Sequence, residues 1–327
     1  MKSKVIKKVI FFSNPFGYGP TTTVIHLIEE LRERSNVEII FAGKKSGLCG
    51  EIFGKSKLNN VNWVDIDERN IDEINSFMKN NTDSVVVSVL NRFCIRTAYD
   101  LGVDNILVDF LSWFWDKPAN EYKLADTYFT NNLNSKVNNI NTNSIDIPII
   151  LGAIPPNKIK RDIILINIGG SQNPLVEGIP ENYLRLFSNI INSINFGKST
   201  VYIAGGSPSM KFIRNLICNK KIRIGSLPHQ EFLRIHSRSK RFISLTGTNA
   251  TFMSFALDIP SLFLLPQLLA HWKLSLILND FKINNLIMWE DYFNINESTY
   301  SLSERDLIPY TEQLSLLALE NESILRN

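Results

Sequence analysis

The sequence predicts an α/β fold with two parallel sheets in tandem, and three observations support it. Short apolar runs rich in β-branched and aromatic residues alternate with amphipathic helical stretches along the chain. Several of these runs end in glycine-rich turns that lead into a helix. A polar, asparagine-rich stretch at 133–149 interrupts the alternation, which then starts again. We therefore expect domains over 1–150 and 151–305, and a closing C-terminal helix over 306–327.

The first half begins with the apolar strand Val5–Phe12, the turn "SNPFGYGPTTT" and a helix. Apolar residues at 24, 25, 27, 28 and 31 give that helix its spacing, with charge on the other face. The further predicted strands are 37–43, 61–66, 84–90, 105–110 and 125–132, and the further predicted helices are 71–80 and 92–101.

The second half repeats the pattern after the linker. The predicted strands are 163–170, 199–206, 222–226, 241–247 and 260–266. The predicted helices are 181–195, 209–218, 230–239 and 249–257. Strands that alternate with helices in this way predict a parallel sheet with helices on both faces in each half.

Composition excludes several classes of protein. The 327 residues carry a formal net charge of only +3 and no block of basic residues with interleaved aromatics, so we expect no nucleic-acid partner. The three cysteines Cys49, Cys94 and Cys218 lie far apart, which argues against disulfides or a zinc site and fits a reducing cytoplasm. Prolines and Gln267 interrupt the longest apolar run, 259–270, so we expect a soluble cytoplasmic protein with no membrane span.

Four glycine turns stand where a strand leads into a helix, in "NPFGYGP", "NIGGSQNP", "IAGGSPS" and "TGTNAT". Helix N-termini expose unpaired N–H groups, and glycine lets a phosphate approach them closely. A single such turn is more often only a tight turn with a cap. Four of them, three in the second half, favour a nucleotide pocket at the carboxyl ends of the strands. The sequence lacks the Walker and G-x-G-x-x-G phosphate fingerprints, and also lacks H-E-x-x-H, G-x-S-x-G and C-x-x-C.

Together, the early "GYG" turn, the late Gly/Thr turn and "FALDIPSLFLLP" resemble the GT-B glycosyltransferases. The sequence is most similar to UDP-glycosyltransferases and to the N-acetylglucosaminyltransferase that makes lipid II. The resemblance implies two Rossmann-like domains facing a cleft, with the acceptor held by the first and a nucleotide sugar by the second. It also implies sugar transfer without a metal or a cofactor besides the nucleotide sugar, and it leaves a homo-oligomer open.

The resemblance assigns residues to a donor site. Gly17 and Gly19 match the loop that faces the donor diphosphate, and Gly247, Thr248 and Asn249 match the helix start that binds it. The full set of expected donor contacts is Gly17, Gly19, Ser171, Gly205, Gly225, Ser226, Gly247, Thr248, Asn249, Gln267 and His271.

The sequence departs from the family pattern in three respects. Met253 stands where many members place a carboxylate that holds the ribose, and Asp258 replaces the usual glycine before the last strand. Tyr18 and Pro20 occupy the loop in which many members carry a catalytic histidine. The resemblance therefore identifies neither the ribose contact nor the general base.

Asp109 is the leading catalytic candidate, because it ends an apolar strand at the edge where sites are built. It would act as a general base or as an acceptor-orienting group; the alternative is a capping or salt-bridged turn residue. Asp116 and Tyr18 follow as catalytic candidates. The expected acceptor contacts are Asn14, Arg92, Trp113 and Trp115, although the tryptophans also fit core packing and the arginine a solvated helix face.

A narrower resemblance concerns the acceptor. The stretch "ILVDFLSWFWDKPANEYKLADTYFTNN" is similar to cytosylglucuronate synthases, which transfer glucuronate from UDP-glucuronate to cytosine in nucleoside-antibiotic pathways. Two alternatives remain at this point: a nucleotide-sugar hydrolase or 2-epimerase on the same fold, suggested by "NIGGSQNP", and a non-catalytic sugar-nucleotide binding protein.

Overall fold

The computed structural model of the chain describes residues 6–56, 58, 60–115, 117–131, 133, 144–152, 161–171 and 177–321. The chain divides into two compact units, residues 1–153 and 154–327, which are considered separately below. Within the described ranges, none of the helices has the length and apolar character needed to cross a bilayer.

The first unit contains a seven-stranded parallel sheet in the order β3-β2-β1-β4-β5-β6-β7. Its strands are β1 (Lys8–Ser13), β2 (Glu38–Ala42), β3 (Asn62–Val64), β4 (Val85–Val89), β5 (Asn105–Asp109), β6 (Thr127–Thr130) and β7 (Ser144–Asp146). Its α-helices are α1 (Gly19–Arg34), α2 (Gly47–Phe53), α3 (Ile71–Lys79) and α4 (Arg92–Asp100).

The centre of strand β1, residues 9–12, is continuously apolar because helices cover both faces of the sheet. Val9 and Phe11 pack on one face in a core shared with Val24 and Ile28 of α1. Ile10 and Phe12 pack on the other face, in the core that contains Ile74 and Met78 of α3. Burial on both faces is the reason that a parallel central strand shows no alternation of polar and apolar residues.

Two elements of the first unit were not predicted. Helix α2 is only seven residues long and contains two glycines, so its sequence lacks a helical apolar repeat. Strand β7 has three residues, none fully buried, and lies in the asparagine-rich stretch interpreted as a linker. Short elements held by tertiary contacts leave a weak periodic signal.

The second unit contains a five-stranded parallel sheet in the order β10-β9-β8-β11-β12. Its strands are β8 (Ile163–Asn167), β9 (Thr200–Ala204), β10 (Arg223–Gly225), β11 (Ser239–Ser244) and β12 (Ser261–Phe263). Its α-helices are α5 (Glu181–Ser193), α6 (Ser207–Arg214), α7 (His229–Ser237), α8 (Thr248–Ala256), α9 (Leu269–Asp280) and α10 (Glu304–Glu320). Helix α9 was not predicted, and α6 begins and ends earlier than the predicted 209–218.

Helix α10 supports the sheet edge at which two other helices begin. Its Glu312 carboxylate accepts hydrogen bonds from the backbone N–H groups of Asn182 and Tyr183 in α5, at 2.9 and 3.0 Å. Its Glu304 carboxylate accepts the Leu269 N–H of α9 at 3.0 Å. Carboxylates at these positions satisfy unpaired N–H groups and complement the positive helix ends. The predicted closing helix is therefore present, and residues 322–327 of that prediction lie outside the described part of the chain.

Substitution of Glu312 by alanine is expected to destabilise the second unit by about 1–2 kcal/mol, the usual cost of a lost N-terminal cap. The N–H groups of Asn182 and Tyr183 would lose their shared acceptor. Urea denaturation measures this cost. The matched control is Glu320→Ala near the exposed end of the same helix, and an equal loss in both variants would contradict a capping role.

His236 makes the stability of the second unit depend on pH. The ring is fully buried between Phe232 and Phe242, with centroid distances of 5.5 and 4.2 Å, and neither nitrogen has a hydrogen-bond partner among the described residues. Burial lowers the pKa of His236 from 6.5 to about 3. The unfolded chain therefore binds a proton that the folded chain excludes, and stability falls as the pH drops from about 6.5 towards 3.

Replacement of His236 by leucine is expected to remove that loss. Below about pH 6.5, the free energy of unfolding of His236→Leu should exceed that of the unmodified protein by a growing amount, up to about 1.4 kcal/mol per pH unit. The melting temperature of the variant should rise relative to that of the unmodified protein over the same range. Calorimetric melting from pH 7 to pH 4.5 measures the difference. A difference that does not change with pH would show that His236 does not titrate in this way.

Candidate functional site

The start of helix α8 is an open helix N-terminus in the second unit. Gly247 is the N-cap in an extended conformation, and no side chain caps the helix. A Cβ at Gly247 would meet no atom within 4 Å, so the space beside the turn is empty of described atoms. Thr248 and Asn249 are the first two helical residues and are half-buried. Uncapped N–H groups beside open space form an anion-binding arrangement.

Besides Thr251 Oγ1 in α8, two buried polar atoms at this edge lack hydrogen-bond partners among the described residues. They are the Asn249 Nδ2 amide, which follows β11, and the Gln267 Oε1 carbonyl, which follows β12. Gln267 is only 2% exposed. Strands β11 and β12 pair in parallel, so their carboxyl ends lie at the same edge of the sheet. An unsatisfied buried polar group costs about 1–3 kcal/mol, and a bound polar ligand would offset that cost.

His271 lies in the first turn of α9 and accepts a backbone hydrogen bond there. Its Nδ1 accepts a hydrogen bond from the Leu268 N–H at 3.3 Å. Burial lowers the pKa of His271 from 6.5 to about 4, so the ring is uncharged at neutral pH. The Nδ1 contact assigns the proton of the neutral ring to Nε2, which is then a hydrogen-bond donor.

The turns after β8 and β9 have mainly structural roles in the present geometry. The Ser171 hydroxyl donates to the Ile168 carbonyl at 2.6 Å, and Ser171 has a positive φ of 49°. A Cβ at Gly205 would lie 2.7 Å from Ile168 Cγ1 and 2.6 Å from Met210 Cε, so glycine is needed for packing there. Gly225 and Ser226, at the end of β10, are half-buried, and the space beside the Gly225 Cα is open.

The glycine loop of the first unit is held rigidly at the end of β1. Asn14 donates through Nδ2 to the Leu90 carbonyl at 2.9 Å and accepts the Phe16 N–H through Oδ1 at 3.0 Å. Gly17 has a positive φ of 71°, which explains glycine at this position. A Cβ at Gly19 would lie 3.3 Å from the Phe110 ring, so Gly19 permits close packing. The Asn14 side chain thus shapes the loop, and its predicted acceptor contact stays a prediction.

Tyr18 follows Gly17 and has a partner that the sequence did not indicate. Its hydroxyl donates to Glu51 Oε2 at 2.8 Å, and Glu51 Oε1 lies 3.3 Å from Lys55 Nζ. Glu51 belongs to α2, the short helix without an apolar repeat, so sequence reasoning missed it. The available signal was the Glu51–Lys55 pair at a spacing of four residues, which is typical of a helix.

Asp109 ends β5 as predicted, and it is fully buried. Its Oδ2 accepts the Tyr128 hydroxyl at 2.8 Å, and its Oδ1 accepts the Leu111 N–H at 2.9 Å. Burial raises the pKa of Asp109 from 3.8 to about 6, with Tyr128 and Leu111 opposing the shift. In this conformation the carboxylate fixes the loop that follows β5, which includes Phe110 in contact with Gly19.

The predicted acceptor residues near this loop differ in their exposure. Trp113 is buried, and its indole N–H donates to the Phe110 carbonyl at 3.0 Å, so it packs within the loop. Trp115 is half-buried, and its indole N–H lies close enough to the Asp109 carboxyl to lower the pKa of that group. Arg92 is exposed at the start of α4 and lies over the Phe93 ring at 4.9 Å. Asp116 lies outside the described residues.

The departures from the family pattern have clear structural positions. Met253 is buried in the second unit with 3% exposure, so α8 carries no carboxylate at this position. Asp258 has a positive φ of 50°, and its carbonyl accepts a hydrogen bond from Arg161 at 2.7 Å. Across the described ranges, no three His, Cys, Asp or Glu side chains are grouped to hold a metal ion. Metal independence remains a prediction.

Comparison with solved structures identifies the fold. A UDP-glucosyltransferase from Polygonum tinctorium, solved with 3,4-dichloroaniline, matches with a TM-score of 0.60 and 12% identity over 100% of both chains. The spinosyn rhamnosyltransferase SpnG, solved with thymidine diphosphate, matches with a TM-score of 0.59 and 13% identity over 98% of this chain and 96% of that one. MurG from Acinetobacter baumannii matches with a TM-score of 0.52 and 12% identity over 95% and 92% of the chains.

No family model matches the sequence, and no curated protein matches it significantly. The likeness to solved structures covers nearly the whole chain at low identity, and it therefore establishes the fold. The chain shares the fold of these three structures, which is the GT-B fold that the sequence predicted.

Proposed function

We propose that the protein is a glycosyltransferase that moves a sugar from a nucleoside diphosphate sugar to a small acceptor. The second unit binds the donor through the α8 start, and the first unit binds the acceptor at the carboxyl ends of β1, β4 and β5. We take a UDP-sugar as the donor, with UDP-glucuronate as the narrower version of the proposal; cytosine, the acceptor that the sequence suggested, is one of the candidate acceptors for the test.

The observation that carries the proposal is the pair of unpartnered buried atoms beside an uncapped helix. The α8 N-terminus offers N–H groups to a diphosphate, and Asn249 Nδ2 lies at the same turn. Gln267 Oε1 is an acceptor and so suits a sugar hydroxyl rather than a phosphate. The hydrogen-bond donors at the α8 start match the diphosphate of a nucleotide sugar. The hydrogen-bond acceptor at the end of the neighbouring strand matches the hydroxyls of its sugar.

These groups also suit the chemistry of sugar transfer. As the bond from the anomeric carbon to the diphosphate breaks, negative charge grows on the leaving phosphate oxygen. N–H groups fixed at a helix start stabilise such charge without rearrangement. The neutral Nε2–H of His271 would add a donor that remains in place over the physiological pH range. In the proposed mechanism these N–H groups stabilise the leaving diphosphate, and no divalent ion is required.

A two-stage screen tests the proposal. Calorimetry with UDP, TDP, ADP and GDP should show one nucleotide bound per chain. Incubation with UDP-glucuronate, UDP-glucose or UDP-N-acetylglucosamine and candidate acceptors, followed by mass spectrometry, should then show a glycosylated product. Consumption of a UDP-sugar without an acceptor would instead indicate a hydrolase or epimerase, and binding without any turnover would indicate a non-catalytic binding protein.

A further inference from the structure

We propose that Tyr18 and Glu51 form a proton relay and that the acceptor is therefore a hydroxyl compound. This inference rests on the proposed function, because it concerns the acceptor side of the same reaction. It departs from the cytosine acceptor suggested by the sequence, since a ring nitrogen attacks through its lone pair and needs little help from a base.

The geometry places the pair where an acceptor would lie. Tyr18 is the N-cap of α1 in the loop that follows β1, and β1 lies within the sheet between β2 and β4. In parallel α/β sheets, ligands bind at this carboxyl edge. The loop is fixed on both sides of Tyr18, by Asn14 hydrogen bonds and by the close packing of Gly19 on Phe110. The half-buried phenol ring of Tyr18 therefore stands on a loop that is fixed at both ends.

The hydrogen-bond direction permits a relay. The Tyr18 hydroxyl donates to Glu51 Oε2 at 2.8 Å, and Lys55 Nζ lies 3.3 Å from the other carboxylate oxygen. As the acceptor of this hydrogen bond, the Glu51 carboxylate is placed to take the proton that Tyr18 releases. A phenol oxygen donates one hydrogen bond and has two lone pairs for accepting, so Tyr18 can receive a proton as it releases its own.

The step is balanced in protons and electrons. The acceptor oxygen forms a bond to the anomeric carbon, and the bond from that carbon to the diphosphate oxygen breaks, with its electron pair leaving on the nucleoside diphosphate. The acceptor proton moves to the Tyr18 oxygen, while the Tyr18 proton moves to Glu51. Asp109 is fully buried and already accepts two hydrogen bonds, so it acts in this account as a positioning residue for the loop after β5.

The test compares matched variants of the full chain. Glu51→Gln keeps an acceptor for the Tyr18 hydroxyl but cannot take its proton, and Tyr18→Phe removes the relay atom. Glu51→Asp restores a carboxylate. Glu30→Gln is the control, because Glu30 pairs with Arg34 at the same four-residue spacing on an exposed face of α1. The sugar donors are UDP-glucose and UDP-glucuronate. The acceptors that react through oxygen are benzyl alcohol and 4-methylumbelliferone, and those that react through nitrogen are cytosine and aniline.

The expected result is transfer to an oxygen acceptor by the unmodified protein, with turnover lowered about 100-fold in Glu51→Gln and Tyr18→Phe. The double variant should be no slower than the slower single variant, and Glu51→Asp should recover part of the rate. The acid limb of the pH–rate profile should disappear in Glu51→Gln but not in Glu30→Gln. A merely structural role would not move this limb.

Two results would overturn the relay alone. These are transfer only to nitrogen acceptors, and transfer to oxygen at a near-normal rate by Glu51→Gln. Absence of transfer to every acceptor by the unmodified protein, with UDP still bound, would overturn the proposed function and the relay with it.

Discussion

Replacement of Asp109 by asparagine is expected to lower turnover about 100-fold while leaving UDP affinity unchanged. The substitution keeps the shape of the side chain but places an amide N–H₂ or a neutral carbonyl where Tyr128 and Leu111 now donate to a carboxylate. The loop after β5 would shift, and with it Phe110, which packs on Gly19. Small displacements of groups that orient reactants cost rate factors of about this size.

The pH–rate profile separates the two roles considered for Asp109. If Asp109 were the general base, the acid limb would disappear in Asp109→Asn. If it positions the loop, the limb should persist at the lower rate. Steady-state kinetics over pH 5–9 measure this, and turnover in Asp109→Asn that is close to that of the unmodified protein would remove Asp109 from the mechanism altogether.

Stability provides an independent check on the charge of Asp109. Burial raises the pKa of this carboxyl from 3.8 to about 6, so the folded state holds its proton to a higher pH than the unfolded state does. Its contribution to stability is therefore present below about pH 4 and lost as the pH rises to about 6. The melting temperature of the unmodified protein relative to Asp109→Asn should fall over this range and then level off.

Substitution of both Thr248 and Asn249 by leucine is expected to weaken UDP binding at least about 100-fold, or about 2.7 kcal/mol. Both residues lie in the first turn of α8, so the substitutions would replace a hydroxyl and an amide at the helix N-terminus with bulky apolar groups. Leucine is a good helix former, so the fold should persist. Isothermal calorimetry measures the affinity, and circular dichroism checks the fold. The control is Asn80→Leu, at the exposed end of α3 in the other unit.

The sequence predicted the alternation of strands and helices well, because each long element carries its own apolar repeat. It failed for α2, β7 and α9. Helix α2 is short and glycine-containing, and β7 is a three-residue strand paired only at one edge. Helix α9 begins within a long apolar stretch that also contains β12 and Pro266, where an apolar run does not show its periodicity.

The candidate site was predictable only in part, for related reasons. Glycine turns and strand ends located Tyr18, Asp109 and the start of α8. No local pattern could show that Tyr18 meets Glu51, that Tyr128 meets Asp109 or that Gly205 is needed for packing, since these contacts join residues distant in sequence. The unpartnered state of Gln267 Oε1 is likewise a property of the folded environment.

The central claim, a nucleoside diphosphate site at the start of α8, is tested most directly by calorimetric titration of UDP and TDP into the unmodified protein and Asn249→Asp. The aspartate is nearly isosteric and stabilises a helix N-terminus, but it repels a diphosphate. The melting temperature separates a loss of the binding site from a loss of the fold. We predict one nucleotide bound per unmodified chain, and affinity reduced at least about 100-fold in Asn249→Asp without a loss of melting temperature. Equal affinity in the two proteins, or no nucleotide bound by the unmodified chain, would contradict the account.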